Sequence, residues 1–385
     1  MKIAHCCLAA FYIDHFGYQE NILPKMHLFQ GHEVTIIAST ESYGESLQYD
    51  YKEPSVYINE NNIRVARLPY VEWLPIQLSK KIRLYNGLYN ELLRFKPDII
   101  FIHDCQFLSI YTIAKYAKKN NVTIYVDSHT DFINSGRTFI SKNIFHRFIY
   151  RMCAQKIEPF TKLFYGTLPL RMKFYNEIYK IPLSKLRLLP FGVDDTVIKD
   201  YDKLSARRGI IQKYHIPEGS KIIVSGGKID QRKNIHLLIN AFRKSHLSNT
   251  VIVIFGKPTD EMKSIIEDYY ESGNIIFTNW LNYEQTCELL IAADIGIFPG
   301  THSVLWEQAL GCGLPCIFKY WEGIDHLNIN NNCHYLKEIS ESTLIETMHL
   351  YINCDERLEE FKNKAERSAR NFSYSEIARN AISRL

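Results

Sequence analysis

Two stretches in the second half of the chain carry residue types suited to holding an anion. The first is Ser225-Gly226-Gly227-Lys228-Ile229-Asp230-Gln231-Arg232-Lys233-Asn234, ahead of a helical pattern over 235–242. Glycines at a strand end let the backbone approach a ligand, and a helix start presents N–H groups and a positive dipole end. Lys228 and Lys233 add two full charges at the same mouth. The glycine spacing, and the lack of Ser or Thr after Gly-Lys, exclude a Walker loop. The plainer alternative is a polar strand-to-helix turn with solvated lysines.

The second stretch runs Phe298-Pro299-Gly300-Thr301-His302-Ser303-Val304-Leu305-Trp306-Glu307, followed by Gln308-Ala309-Leu310-Gly311-Cys312-Gly313-Leu314-Pro315. The amides of Thr301, His302, Ser303 and Val304 are placed to cradle a diphosphate at another helix start. Glu307, one turn in, is placed to accept hydrogen bonds from ribose hydroxyls; its alternative is a surface carboxylate complementing the helix dipole. Gly311-Cys312-Gly313 is no dinucleotide fingerprint, because it follows a helix and Cys316 occupies the third glycine position. Asp200-Tyr201-Asp202 lies in a polar linker and reads as a solvated charge cluster. The nine cysteines form no CxxC pair, which argues against a zinc site and for a reducing, cytoplasmic setting; no metal or cofactor is expected.

These loops need strands to hold them. Buried-strand patterns over 2–8, 33–38, 99–103 and 123–126 alternate with helix-length segments, and the alternation restarts over 221–225, 251–255, 275–277 and 295–298. Such alternation implies parallel sheets covered by helices, with ligands beyond the carboxyl ends of the strands. The chain of 385 residues therefore reads as two doubly wound α/β domains, 1–200 and 201–371. Hydrophobic residues make up 46% and charged residues 23%, a globular mix, and the net charge of +4 is too mild to argue for nucleic acid. No apolar run reaches the ~20 residues of a membrane-spanning helix, and the N-terminus reads as a first strand rather than a signal peptide.

Taken together, the motifs resemble glycosyltransferase family 4 of the GT-B class. Gly227-Lys228 with Lys233 resembles the family's second-domain signature, and Glu307 through Pro315 its nucleotide-sugar helix. Pro190-Phe191-Gly192-Val193-Asp194 resembles the hinge, and Gln30-Gly31-His32-Glu33-Val34-Thr35 the entry to the second strand. The resemblance implies two Rossmann-like domains facing across a cleft, with the segment 372–385 crossing back onto the first. It also implies a retaining transfer from a nucleotide-diphosphate sugar. One departure stands out: the family's first glutamate, eight positions before the ribose ligand, is Pro299 here, and Thr301, His302 or Ser303 is expected to take part of its role.

In the first half, the loop after strand one keeps only Gly17 of the family's glycine pair near the donor phosphates. His129, in Asp127-Ser128-His129-Thr130-Asp131, matches the histidine that family members place beside the acceptor; its alternative is a structural hydrogen-bonder. Asp127, His103 and Asp104 are expected to line the cleft on the acceptor side. In the second half, the backbone of Asn279, Trp280 and Leu281 is expected to read the base. The stretch 139–162 is amphipathic and basic, with Ile144, Phe145, Phe148, Ile149 and Met152 at helical spacing beside Arg147, Arg151 and Lys156. With Arg137, Lys80, Lys81 and Arg83, it reads either as a helix packed on the sheet or as a peripheral contact with an anionic membrane or a lipid-diphosphate acceptor.

The expected function is transfer of a sugar to a saccharide or lipid-linked acceptor in surface polysaccharide synthesis, with Lys228 and Lys233 neutralising the departing diphosphate. Two rivals are a sugar-nucleotide epimerase of the same architecture and a non-catalytic nucleotide-sugar-binding partner. Incubation with donor but no acceptor separates them, because only the epimerase would isomerise it.

Overall fold

The structure is a computed structural model describing residues 1–9, 11–43, 49–132, 135, 141–266 and 273–383. It divides into two compact units, Met1–Pro190 with Ile377–Leu385, and Phe191–Glu376.

The first unit is built on β1 (Lys2–Cys7), β2 (Glu33–Ala38), β3 (Glu41–Tyr43), β4 (Tyr49–Tyr51), β5 (Ser55–Ile58) and β6 (Arg64–Arg67), then β7 (Ile99–His103), β8 (Thr123–Ser128), β9 (Thr161–Gly166) and β10 (Leu186–Leu188). Eight of these form one sheet in the order β10-β9-β8-β7-β1-β2-β6-β5, while β3 and β4 pair as a separate hairpin. Every pairing in the large sheet is parallel except β5 with β6. The central strands are apolar at nearly every position, as in Ile99-Ile100-Phe101-Ile102, and are buried throughout, as expected when helices cover both faces.

The second unit holds β11 (Lys221–Gly226), β12 (Thr250–Phe255), β13 (Ile275–Thr278), β14 (Ile295–Phe298), β15 (Cys316–Lys319) and β16 (Cys333–Leu336). They form a wholly parallel sheet in the order β13-β12-β11-β14-β15-β16. The order reverses at β11, so the loops after β11 and β14 diverge at its carboxyl edge, the usual place for a ligand in this fold.

The expected boundary near residue 200 moves to Pro190. The segment around Val193 already belongs to the second unit: its N–H donates to Phe372 O at 2.8 Å, and its carbonyl accepts from Tyr374 N at 2.9 Å. The return to the first unit begins at Ile377 rather than 372.

The amphipathic stretch also departs from one of its two readings. A helix of wide π-type turns, Ser141–Tyr150, runs into an α-helix, Arg151–Ile157. It buries His146, Cys153, Ala154 and Ile157, while Ile144, Phe148 and Met152 face solvent, with Phe148 65% exposed. The apolar stripe is therefore not what packs on the sheet. Arg137, Phe139 and Ile140 lie outside the described residues.

Candidate functional site

In the second unit, the ends of β11 and β12 meet backbone to backbone. A Cβ on Gly226 would stand 2.3 Å from Phe255 O, and one on Gly256 would stand 1.9 Å from Gly227 O. Gly227 and Gly256 also hold φ of 107° and 122°, where side chains are strained. Gly226 is thus required by the strand beside it rather than by a ligand. Gly227 is different, because a Cβ there would make only an ordinary contact, with Leu305 Cδ2 at 3.7 Å.

Beyond Gly227 the chain turns sharply. Lys228 is exposed. Asp230 caps a short helical turn, Gln231–Lys233, by accepting from Arg232 N at 3.1 Å. That turn is laced to the loop after β14. Thr301 N donates to Arg232 O at 3.1 Å, Asn234 Nδ2 donates to Pro299 O at 2.9 Å, and Lys233 Nζ donates to Thr301 O at 2.6 Å. Gly300 permits this approach, since a Cβ there would lie 2.3 Å from Lys233 Cα. Burial brings the Lys233 ammonium down to about 8, Asp230 opposing the shift and Arg232 adding to it. One expectation changes: the amide of Thr301 is engaged by Arg232 and is not part of a diphosphate cradle.

The loop then enters the helix Leu305–Gly311. Glu307 is not a surface carboxylate, because it is 0% exposed. Both its oxygens accept from His302 Nε2, at 2.9 and 3.0 Å, and His326 Nε2 stands 3.5 Å from Oε1. Burial alone would raise its pKa. His302 first, then His326, overcome that and hold the carboxyl near 2, so it is ionised. Ser303 and Val304 form the approach to the helix, with Val304 exposed and Ser303 half-buried.

A cavity of about 330 Å³ opens at the ends of β11, β12 and β13, lined by Ile229, Gly256, Pro258, Ile266, Phe277, Thr278 and Asn279. Of the three expected base readers, Asn279 lines it. Leu281 packs on the core instead, and Trp280 is 68% exposed. His326, Gly256 and Pro258 were not foreseen. Gly256-Lys257-Pro258 does follow a strand end, where a glycine and a proline mark a backbone turn; His326, in the turn Asp325–Leu327, carries no such signal.

The first unit treats its candidates differently. Asp127 and His103, expected to line a cleft, are both wholly buried. A chain of contacts holds them: His27 Nε2 donates to Ala378 O at 2.9 Å, and His27 Nδ1 meets His5 Nε2 at 2.9 Å. His5 Nδ1 then meets His103 Nε2 at 3.0 Å, and His103 Nδ1 meets Asp127 Oδ2 at 2.9 Å. Gln19 Nε2 also donates to Asp127 Oδ2, at 3.0 Å. Burial opposes both charges, yet the pairing wins: His103 is raised and Asp127 lowered from their ordinary values. These residues build the unit rather than touch an acceptor. Asp104 is likewise buried, accepting from Ser128 Oγ at 2.6 Å.

His129 follows directly on this array but is partly open, its side chain 27% exposed and its Nε2 3.6 Å from Glu20 Oε1. Gly17 is exposed in the loop ahead of the helix Gln19–Phe29. The structure thus brings Lys233, Thr301, His302 and Glu307 together in the second unit, and His103, Asp127 and His129 together in the first.

Two α/β units with this arrangement of strands and loops make up the GT-B fold. Residues 206–368, within the second unit, match the family Glycosyl transferases group 1. The chain is 27% identical over 170 residues to N-acetylgalactosamine-N,N'-diacetylbacillosaminyl-diphospho-undecaprenol 4-alpha-N-acetylgalactosaminyltransferase of Campylobacter jejuni, a match spanning 42% of this chain and less than half (46%) of that enzyme. It is 19% identical to N-acetyl-alpha-D-glucosaminyl L-malate synthase of Bacillus anthracis, over 90% of this chain and 86% of the synthase. Among solved structures, Anabaena HepE in complex with UDP-glucose superposes with a TM-score of 0.64 at 12% identity, covering 99% of this chain and 98% of HepE.

Proposed function

We propose that the protein transfers a sugar, with retention of configuration, from a nucleotide diphosphate to a saccharide or lipid-linked acceptor used in a surface polysaccharide. The observation that carries the donor half is the lacing of Lys233 to Thr301 beside the ionised Glu307. Lysines and an ionised carboxylate stand on neighbouring loops at the sheet's reversal point, and a cavity opens at the ends of β11, β12 and β13 in the same unit. Lys228, exposed and next to Gly227, and Lys233 would neutralise the leaving diphosphate without a metal. HepE binds UDP-glucose, and the Campylobacter relative acts on an undecaprenol-linked acceptor, which supports a nucleotide sugar and a lipid-linked saccharide as partners.

His129 would orient the acceptor hydroxyl or take its proton from the first unit. The same unit exposes Ile144, Phe148 and Met152 beside Arg147 and Arg151, and Lys81 Nζ stands 5.1 Å from the Phe145 ring centre. A basic, apolar strip of this kind suits the surface of an anionic membrane, the place of a lipid-linked acceptor.

The test is donor consumption across UDP-, GDP- and ADP-sugars with a panel of saccharide acceptors, comparing wild type with Lys233→Ala. Turnover should fall by about 10²–10³-fold, the usual loss for one electrostatic stabiliser. Near-normal turnover in a folded Lys233→Ala protein removes the phosphate assignment. Isomerisation of the donor without acceptor would favour the epimerase instead.

A further inference from the structure

Glu307 cannot meet a ribose as it stands. Its carboxylate is 0% exposed, and both oxygens are taken by one N–H of His302. Three ionisable groups are packed here with graded access: Glu307 at 0% side-chain exposure, His326 at 5% and His302 at 15%. His302 is the outermost. It sits in the loop before the helix Leu305–Gly311, with its ring edge-on to Trp306 at 5.3 Å between centres.

A buried carboxylate that loses its hydrogen-bond donor is strongly penalised unless another charge or donor replaces it. His326 supplies that reserve. Its Nε2 is 3.5 Å from Glu307 Oε1, just beyond a hydrogen bond, and both its ring nitrogens are buried without a hydrogen-bond partner. Sub-ångström movement would close that bond as His302 leaves.

We propose that His302 is a displaceable seal on Glu307, occupying in the free protein the place that the ribose hydroxyls of a nucleotide take, with His326 holding the carboxylate when the seal opens. The inference rests on the donor reading of Glu307 and adds a cost to donor binding that its geometry alone would not show. The diol of the ribose replaces one bifurcated N–H with two O–H donors, and the imidazole swings toward solvent. His302 is then a positioning residue that sets donor affinity, rather than a ligand of the donor.

The experiment is calorimetric affinity for UDP, with ADP and GDP in parallel, measured on the full chain. Glu307→Gln should weaken binding by at least about tenfold, or ~1.4 kcal/mol. His302→Ala should tighten it by about three- to tenfold, because the nucleotide no longer competes with the imidazole. His326→Ala should weaken it, the reserve donor being gone. If His302→Ala melts early, His302→Ser, which keeps a polar side chain but lacks the imidazole, should still bind more tightly than wild type. Unchanged affinity in Glu307→Gln removes the donor reading itself. A weakened Glu307→Gln together with His302 variants that bind no more tightly than wild type overturns the seal alone.

Discussion

Each unit buries a carboxylate against histidine, and the two arrangements differ in where the histidines lead. In the first unit, the partner of Asp127 is continued inward through His5 and His27 to the carbonyl of Ala378, all of it closed to solvent. In the second, the partner of Glu307 lies at the edge of a loop, next to the lysine turn. The same histidine–carboxylate pairing is closed framework in one place and lies under a partly exposed loop histidine in the other. What separates them is the depth of the second partner, not the identity of the first.

The largest effect that would sharpen this contrast is on stability. Asp127→Ala leaves His103 buried without its carboxylate and should cost about 3–5 kcal/mol. Urea unfolding followed by circular dichroism reads this, while nucleotide affinity of the folded fraction should stay near that of wild type. A mild loss, with impaired nucleotide binding, would make Asp127 a site residue after all.

The next effect is on pH. Burial lowers His27 and His146 to about 4 and His5 well below its ordinary value, so all three are neutral when folded. The unfolded chain binds their protons below about 6.5, so the first unit loses stability as pH falls from about 6.5 toward 4, by about 1.4 kcal/mol per unit for each histidine. His103, raised instead, contributes stability below about 6.5 that is lost as pH rises through its folded value. In the second unit, His236 and His334 are also lowered, while Glu307, held near 2, gives a contribution that is full above its ordinary value of 4.5 and is lost as pH falls from there through 2. Hydrogen exchange at pH 6.5 and 5, read by mass spectrometry, should therefore show first-unit peptides losing protection more. Earlier loss in the second unit would break the comparison.

The smallest effect concerns the outer surface of the first unit. Phe148→Glu, at an exposed position, should reduce co-sedimentation with phosphatidylglycerol vesicles several-fold, by removing apolar contact and adding a repelled charge. It should leave nucleotide binding intact. Equal sedimentation would assign the strip another role.

Much of the fold is legible because strands buried on both faces are written as unbroken apolar runs, as in β7 and β12. Strands β5, β6, β9 and β10 are not, since they are short or interrupted by charge, as Lys162 interrupts β9. Spacing found Lys233, Thr301, His302 and Glu307 on neighbouring loops. It did not distinguish Gly226, needed by Phe255, from Gly227, where a Cβ would make only an ordinary contact with Leu305. The register of His103 and Asp127 along their strands shows only that they lie near the carboxyl ends. Their burial comes from His5 and His27, brought against them from elsewhere in the chain. Helical spacing correctly grouped Ile144, Phe148 and Met152 on one face, but not which way that face points.

The buried histidines obey a count that no single pKa conveys. Four hydrogen bonds run from Ala378 to Asp127, and all six ring nitrogens between are engaged, with only acceptors at the two ends. Each bond takes one hydrogen, so the array holds four, one more than three neutral imidazoles supply. The surplus makes the trio a cation and the whole array with Asp127 electrically neutral. A fifth proton would set two N–H groups head to head and break a link. The three rings therefore act as a single acid, and the last helical segment of the chain is fastened to the first sheet by a string whose length in protons is fixed.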